Sequence, residues 1–357
     1  MHVVIGILAA ILIFAILVIV HEGGHFAVAK AVGIRVNEFS IGMGPLIFQR
    51  QKGETNYSIR AFPIGGYVAM EGEDSESDDE RAFCKKPAWA RAAVVAAGPF
   101  MNVVLAILVF IGMIMYNGTG VSNTISEVSD GSPAYEVGIA AGDKITSINV
   151  ASSDGSSASK TYEVKSGENI KEKLIEAYEA AGEGSAVEVG ILSKGEKTSR
   201  TVKIVPEEND DGSPVLGVTF KIKRNFFKAA GYSVKAAYEA EKLMIQTLAS
   251  LVSGQGDTGD VVGPIGIVSI VDQTAQKGIY NIVYLLALLS LNLALVNILP
   301  FPALDGGRLL FIIIGVITRK AVSDELEAKI HYAGLLILFV LMIVITIKDV
   351  NTFIIKQ

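Results

Sequence analysis

The sequence predicts a multi-pass α-helical membrane protein of about four transmembrane helices, interrupted by a β-hairpin segment and an inserted α+β domain. Three observations carry that prediction. Half of the 357 residues are apolar and mean hydropathy is +0.45, which long apolar runs produce. Residues Val3–Val20 carry no charge and no polar side chain. Residues 117–222, by contrast, are dominated by Gly, Ser, Lys, Glu and Asp around short β-like runs.

The bulk numbers exclude some functions. A net charge of −6 leaves no basic stripe for nucleic acid. Cys84 is the only cysteine, so there is no intramolecular disulfide and no cysteine-based zinc site. With four histidines in all (His2, His21, His25, His331), a metal site must draw mainly on carboxylates for its remaining ligands.

The first helix is expected over residues 1–32. Met1-His2 lacks Lys and Arg and no A-x-A-like site follows, so the run reads as a retained span rather than a cleaved signal peptide. Its last third holds His21-Glu22-Gly23-Gly24-His25. Ionisable groups at the edge of a span are costly and mark function. At H-E-x-x-H spacing the two histidines share one helix face and can ligate one ion, with Glu22 beside them to take a proton from water. Gly23 and Gly24 leave room for another backbone to approach.

Residues 33–91 alternate with period two around Arg35–Gly42, Tyr57–Phe62 and Gly65–Val68, with breakers at Gly42, Gly44-Pro45 and Gly53. This predicts short strands of a hairpin-rich segment, followed by a solvated acidic loop over Glu71–Glu80. A second span is expected over 92–116, with a Gly98-Pro99 breaker pair and a buried amide at Asn102. Asn102 suits an interhelical hydrogen bond or a place beside the site, and the two are compatible.

In 117–222, strands are expected at Thr124–Val128, Lys144–Val150, Ala186–Leu192, Arg200–Val205 and Leu216–Phe220, with a helix over Asn169–Ala181. Residues 223–278 read as two amphipathic helices on the membrane or against a neighbour. A third span covers 279–299. Residues 300–329 hold Leu304-Asp305-Gly306 and a half-buried helix over Leu309–Ile317, too short to span. A fourth span covers 330–347, with His331 at its interfacial start, and 348–357 form a C-terminal tail.

Basic residues set the orientation. Arg35, Arg50, Lys52, Arg60, Arg81, Lys85, Lys86 and Arg91 lie between the first two spans; Arg308, Arg319, Lys320 and Lys329 lie between the last two. Both connections are therefore expected in the cytoplasm, and the inserted domain and both termini outside. The ends of spans one and three then share a side, which brings Asp305 to the depth of His21 and His25. Two imidazoles, a carboxylate and a water make a tetrahedral catalytic zinc site with an open position. Glu22 becomes its acid/base, and Asn297 a candidate donor to a substrate carbonyl or oxyanion. Pro300 and Pro302 are expected to hold the approach to Asp305 extended.

Two stretches resemble known families. Gly131-Ser132-Pro133-Ala134, Gly138-Ile139, Gly142-Asp143-Lys144-Ile145 and Ile148-Asn149 are similar to a PDZ domain, so 117–222 becomes a PDZ-like α+β domain. His21–His25, Gly98-Pro99-Phe100-Met101-Asn102, the PDZ-like signature and Asn297 through Gly307 together resemble the site-2 protease family of intramembrane zinc metalloproteases, in its bacterial regulator-of-sigma-E group and among its single-PDZ members. The resemblance implies one Zn2+ per chain on His21, His25 and Asp305, with Glu22 catalytic and Asn292, Asn297 and Asn102 near the site. It implies that Gly42, Gly44, Gly65 and Gly66 belong to a membrane-re-entrant β-segment where an unwound substrate helix adds as a strand. The implied substrates are single-pass membrane proteins of the bacterial inner membrane, already trimmed outside it, such as anti-sigma factors or remnant signal peptides. Two other classes stay open at this point: a non-catalytic membrane-anchored PDZ scaffold, and a transporter, for which inverted repeats are not visible.

Overall fold

The structure is a computed structural model that describes residues 2–73, 76–150, 161–164, 167, 170–182, 184–256, 261–319 and 323–351. Asn169, Lys320 and residues 352–357 of the C-terminal tail lie outside the described residues. The chain divides into two compact units, residues 1–113 with 230–357, and residues 114–229.

The first unit opens with α1 (His2–Ala31) and two long strands, β1 (Val36–Lys52) and β2 (Thr55–Met70). It continues with α2 (Ala88–Asn117), whose last residues pass into the second unit. The second unit holds β3 (Gly120–Val128), α3 (Pro133–Glu136), β4 (Lys144–Val150), β5 (Thr161–Glu163), α4 (Ile170–Ala181), β6 (Val187–Leu192), β7 (Arg200–Ile204), β8 (Glu207–Glu208), β9 (Pro214–Val215) and β10 (Val218–Lys223). The chain returns through α5 (Phe226–Val252), then α6 (Pro264–Gln276), α7 (Ile279–Ile298), α8 (Asp305–Thr318) and α9 (Asp324–Val350).

Four of the described helices are long and apolar enough to cross a membrane: Gly6–Ala31, Ala88–Asn117, Ile279–Ile298 and Glu325–Val350. Each meets the roughly 20 residues that a hydrocarbon core of about 30 Å requires. The protein is a multi-pass membrane protein. Only 6% of the most apolar stretch of the last span is buried within the protein, so its Leu, Ile and Phe side chains face outward, which water would penalise and lipid tolerates.

Packing follows the apolar stripes. Ala10, Ile13 and Leu17 of α1 meet Val271 of α6. Ala106, Phe110 and Met113 of α2 meet Ala237 of α5 and Ala287 and Leu291 of α7. The two amphipathic helices therefore dock on spans. Asp349 near the end of α9 is 1% exposed and accepts the Gly266 N–H at 2.8 Å, which satisfies one of the open donors in the first turn of α6.

The hairpin differs from the short strands expected. β1 and β2 are each long and irregular in register, so that Glu38 faces both Asn56 and Ala69. The first half of β1 is thus flanked by both halves of β2. Bulges make this possible by bending each strand. Arg60 donates to Glu38 Oε1 at 2.8 Å and to the Gly44 carbonyl at 2.9 Å, and its guanidinium lies over the Tyr67 ring. Burial raises the Glu38 carboxyl, but the nearby Ser58 hydroxyl, Arg60 guanidinium and Tyr67 hydroxyl outweigh that and hold it below the usual range. Met43, Leu46, Ile47, Phe48, Ile59 and Phe62 are exposed, an apolar surface unusual for a cytoplasmic hairpin.

Span two starts earlier than expected, at Ala88, and helix α2 runs unbroken through Pro99, as expected of a span that tolerates its Gly-Pro pair. Pro99 cannot donate to the Val95 carbonyl, which leaves a gap in the helical ladder beside Gly98.

In the second unit, the main sheet runs β10-β3-β4-β6-β7, with β5 beside β4. Ile125, Ile145, Ile148, Val187, Val189 and Ile191 pack against Leu174 and Ala177 of α4. Two features of the Gly-Ser-Pro-Ala and Gly-Asp signatures have local causes. Ser132 caps α3 by accepting from Tyr135 N, ahead of Pro133. Asp143, 5% exposed, accepts from the Ala140 and Lys194 amides and so ties two turns together.

Candidate metal centre

His21 and His25 sit one turn apart on α1, and both are buried. Their rings meet edge-on with centroids 4.8 Å apart. Asp305 comes from the first residue of α8, where the positive end of a helix favours a carboxylate. Its Oδ2 lies 3.1 Å from His21 Nε2 and 3.4 Å from His25 Nε2, and the two Nε2 atoms are 3.2 Å apart. These are the three groups among the described residues that converge as possible metal ligands.

Tetrahedral zinc with bonds of about 2.0–2.1 Å needs ligand atoms roughly 3.3 Å apart. The three separations match that requirement. The outer ring nitrogen of His25 matches it too. His25 Nδ1 lies 2.8 Å from the Val94 carbonyl, which can only accept, so Nδ1 carries the proton and Nε2 keeps its lone pair. His21 Nδ1 lies 3.2 Å from Nδ2 of the Asn102 side-chain amide, whose Oδ1 has no partner among the described residues; turning the amide over puts Oδ1 against Nδ1. Asn102 is wholly buried, and its main-chain carbonyl accepts from Ser290 Oγ of α7 at 2.7 Å.

Gly98 supplies the space. A Cβ there would overlap His25 Nε2 and stand 2.6 Å from His25 Cε1 and 2.8 Å from His21 Nε2. No other residue type leaves the imidazoles in place. Gly24 plays the complementary part on α1: a Cβ would meet the Ala97 carbonyl and come within 2.8 Å of Met101 Cγ. Gly23, expected to share that role, has open space around it.

Glu22 is half-buried on the neighbouring face. Beside it runs β2 at Gly66, where a Cβ would come within 2.8 Å of Ser40 O, 3.0 Å of Val18 Cγ1 and 3.3 Å of Glu22 Cγ. The hairpin thus packs its backbone against α1 next to the acid. Gly42, Gly44 and Gly65 lie in the same hairpin, all with positive φ.

The other sequence-derived residues fare unequally. Asn102 joins the histidines directly. Asn297 is half-buried and Asn292 exposed, and among the described residues neither hydrogen-bonds His21, His25, Asp305 or Asn102. The approach to Asp305 is not extended throughout: Leu304 N bonds back to Phe301 O, making a turn through Pro302 and Ala303. Sequence reasoning missed the Val94 carbonyl, which has no signature, and Ser290. It saw Gly98 as a helix breaker, although a glycine one turn before a buried Asn and next to a proline also signals a notch.

A family model described as peptidase family M50 matches residues 9–341. Among curated proteins, a Clostridium acetobutylicum chain is 36% identical over 348 residues, covering 97% of each chain. Zinc metalloprotease RasP of Shouchella clausii is 30% identical over 425 residues, covering 97% of this chain and 98% of its own. The regulator of sigma-W protease RasP of Bacillus subtilis is 30% identical over 435 residues, with the same coverage.

Proposed function

The chain belongs to peptidase family M50 and is a zinc metalloprotease of the site-2 type, and from that premise we propose that it cuts single-pass membrane proteins inside the bilayer after they have been trimmed outside. Membership in an enzyme family sets aside the scaffold and transporter readings. The observation that carries the proposal is the convergence of His21 Nε2, His25 Nε2 and Asp305 Oδ2 at 3.1–3.4 Å, at the end of an apolar span.

In this reading His21, His25 and Asp305 hold the zinc. Zinc held there would polarise a scissile carbonyl and acidify a water. Glu22 takes the proton of the attacking water on its carboxylate and returns it to the leaving amine nitrogen. The Val94 carbonyl and Asn102 fix the two imidazoles, and a metal at His21 Nε2 requires Nδ1–H to face the Asn102 Oδ1. Asn297 is the candidate donor to the substrate carbonyl, and Asn292 lies one helical turn and a half before it.

The hairpin is read as a re-entrant element. Its exposed apolar side chains support contact with lipid, and its place against Glu22 supports delivery of an extended substrate to the acid. Helical peptide bonds are shielded, so strand addition exposes the bond to be cut. The basic connections are cytoplasmic, and the PDZ-like unit and both termini are extracytoplasmic. The PDZ-like unit filters substrates by their trimmed ends. Anti-sigma factors are a substrate class in keeping with the relative named as a regulator of sigma-W protease; remnant signal peptides share their single-pass form.

The test is cleavage of a pre-trimmed model substrate by the purified full chain. Wild type should cut it and Glu22→Gln should not, while both retain about one zinc per chain. Equal cleavage by the two proteins would overturn the role of Glu22.

A further inference from the structure

We propose that His331 of α9 is a positioning residue for Asp305, acting through the backbone of Ala303. The inference rests on Asp305 as a zinc ligand.

The chain reaches Asp305 through a four-residue turn, Phe301-Pro302-Ala303-Leu304, closed by Leu304 N donating to Phe301 O at 3.2 Å. Proline second and a positive φ third is the type II pattern, in which the third residue is usually glycine. Here it is Ala303, at φ +76°. An L-residue with a Cβ enters that region at a cost, and such outliers persist only where surrounding structure enforces them. Leu304 then returns to extended backbone, and α8 starts at Asp305.

The enforcement comes from α9. The Ala303 N–H donates to His331 Nδ1 at 2.9 Å. Accepting at Nδ1 fixes the proton on Nε2, which faces Glu327 Oε1 at 3.7 Å, on the same helix face one turn earlier. Phe311 of α8 covers the ring, with centroids 5.6 Å apart. One turn further on, Gly334 lets the helix lie against Pro302: a Cβ there would stand 2.6 Å from the Pro302 carbonyl oxygen. Helix α9 therefore grips both central residues of the turn, one by hydrogen bond and one by close contact. Two residues later the same backbone delivers the carboxylate whose Oδ2 must stay 3.1–3.4 Å from both imidazoles. Released from His331, Ala303 has every reason to leave positive φ, and doing so re-aims Asp305.

The experiment measures zinc affinity of the full chain in detergent by competition with a chelator, so it does not depend on activity. His331→Ala should weaken zinc by about tenfold or more, the lower end for loss of an outer-sphere partner. His331→Asn should hold zinc like wild type, because an amide Oδ1 can accept in place of Nδ1. Ala303→Gly relieves the strained φ, so adding it to His331→Ala should recover most of the affinity. If His331→Ala does not fold alone, the asparagine variant and the double variant decide. Wild-type affinity in His331→Ala, or an equal loss when Ala303→Gly accompanies it, would overturn the proposal. His21→Ala separates this from the underlying reading. If that variant binds zinc normally, the ligand set is wrong; if it loses zinc while His331→Ala keeps it, only the positioning role fails.

Discussion

Gly98 faces His25 so closely that a single methyl group on the glycine would overlap the histidine's Nε2. The paired histidines of the candidate metal centre thus depend on a missing side chain in a neighbouring helix. Gly98→Ala should lose zinc, with at most a small fraction of wild-type metal content after purification. Gly112 on the same helix has open space around it, so Gly112→Ala should keep full zinc and gain up to about 1 kcal/mol of helix stability. Elemental analysis of the two variants, together with thermal unfolding, checks both outcomes.

The Asn102 amide gives a second prediction. Asn102→Leu removes the partner of His21 Nδ1 and should weaken zinc by about 10–100-fold. Asn102→Asp offers an acceptor at either oxygen and should retain it. Chelator competition on the two variants reads the difference; equal weakening would mean that the amide N–H, not its oxygen, serves His21.

The contact between hairpin and acid can be separated from the metal. Gly66→Val pushes β2 away from Val18 and Glu22. Peptide-bond cleavage should drop at least tenfold in kcat/KM, since a misplacement of about 1 Å costs on the order of 10²-fold. Zinc content should not change. Loss of zinc in this variant would show that the hairpin supports the ligands instead of the substrate.

A pH effect is expected at the base of the hairpin, away from the metal. Lys30 at 2.6 Å and Arg81 at 2.8 Å hold the Glu54 carboxyl below its ordinary range. The Arg81 amide and then the Arg35 guanidinium do the same for Asp79. A depressed folded-state pKa stabilises above the unfolded value and is lost as pH falls through the folded one. Glu54→Gln should therefore increase amide exchange around residues 53–55 at pH near 7, and the difference from wild type should shrink progressively as pH falls below about 4. Both groups are partly exposed, so added salt should shrink the pH 7 effect.

How much of this was readable in the residues depends on the kind of contact. The long apolar helices were legible because a lipid-facing or buried helix must be apolar, and Val3–Val20 is apolar throughout. The meeting of His21, His25 and Asp305 was legible because the histidines stand one helical turn apart and the span topology puts Asp305 at their depth. The long bent strands were not, since bulges let Glu38 pair on two sides without any change in alternation. His331 read as an interfacial residue, because its partner is a backbone amide in a turn whose third position carries no glycine to announce it.

The bond from His25 Nδ1 to Val94 ends on a main-chain carbonyl. No codon change at position 94 removes that acceptor while α2 stays helical. Residue 94 is therefore free to drift among side chains that fit its packing, and an alanine scan across α2 would pass over it in silence. One half of the support for the paired histidines is inherited as shape, and the other half, at Asn102, as chemistry.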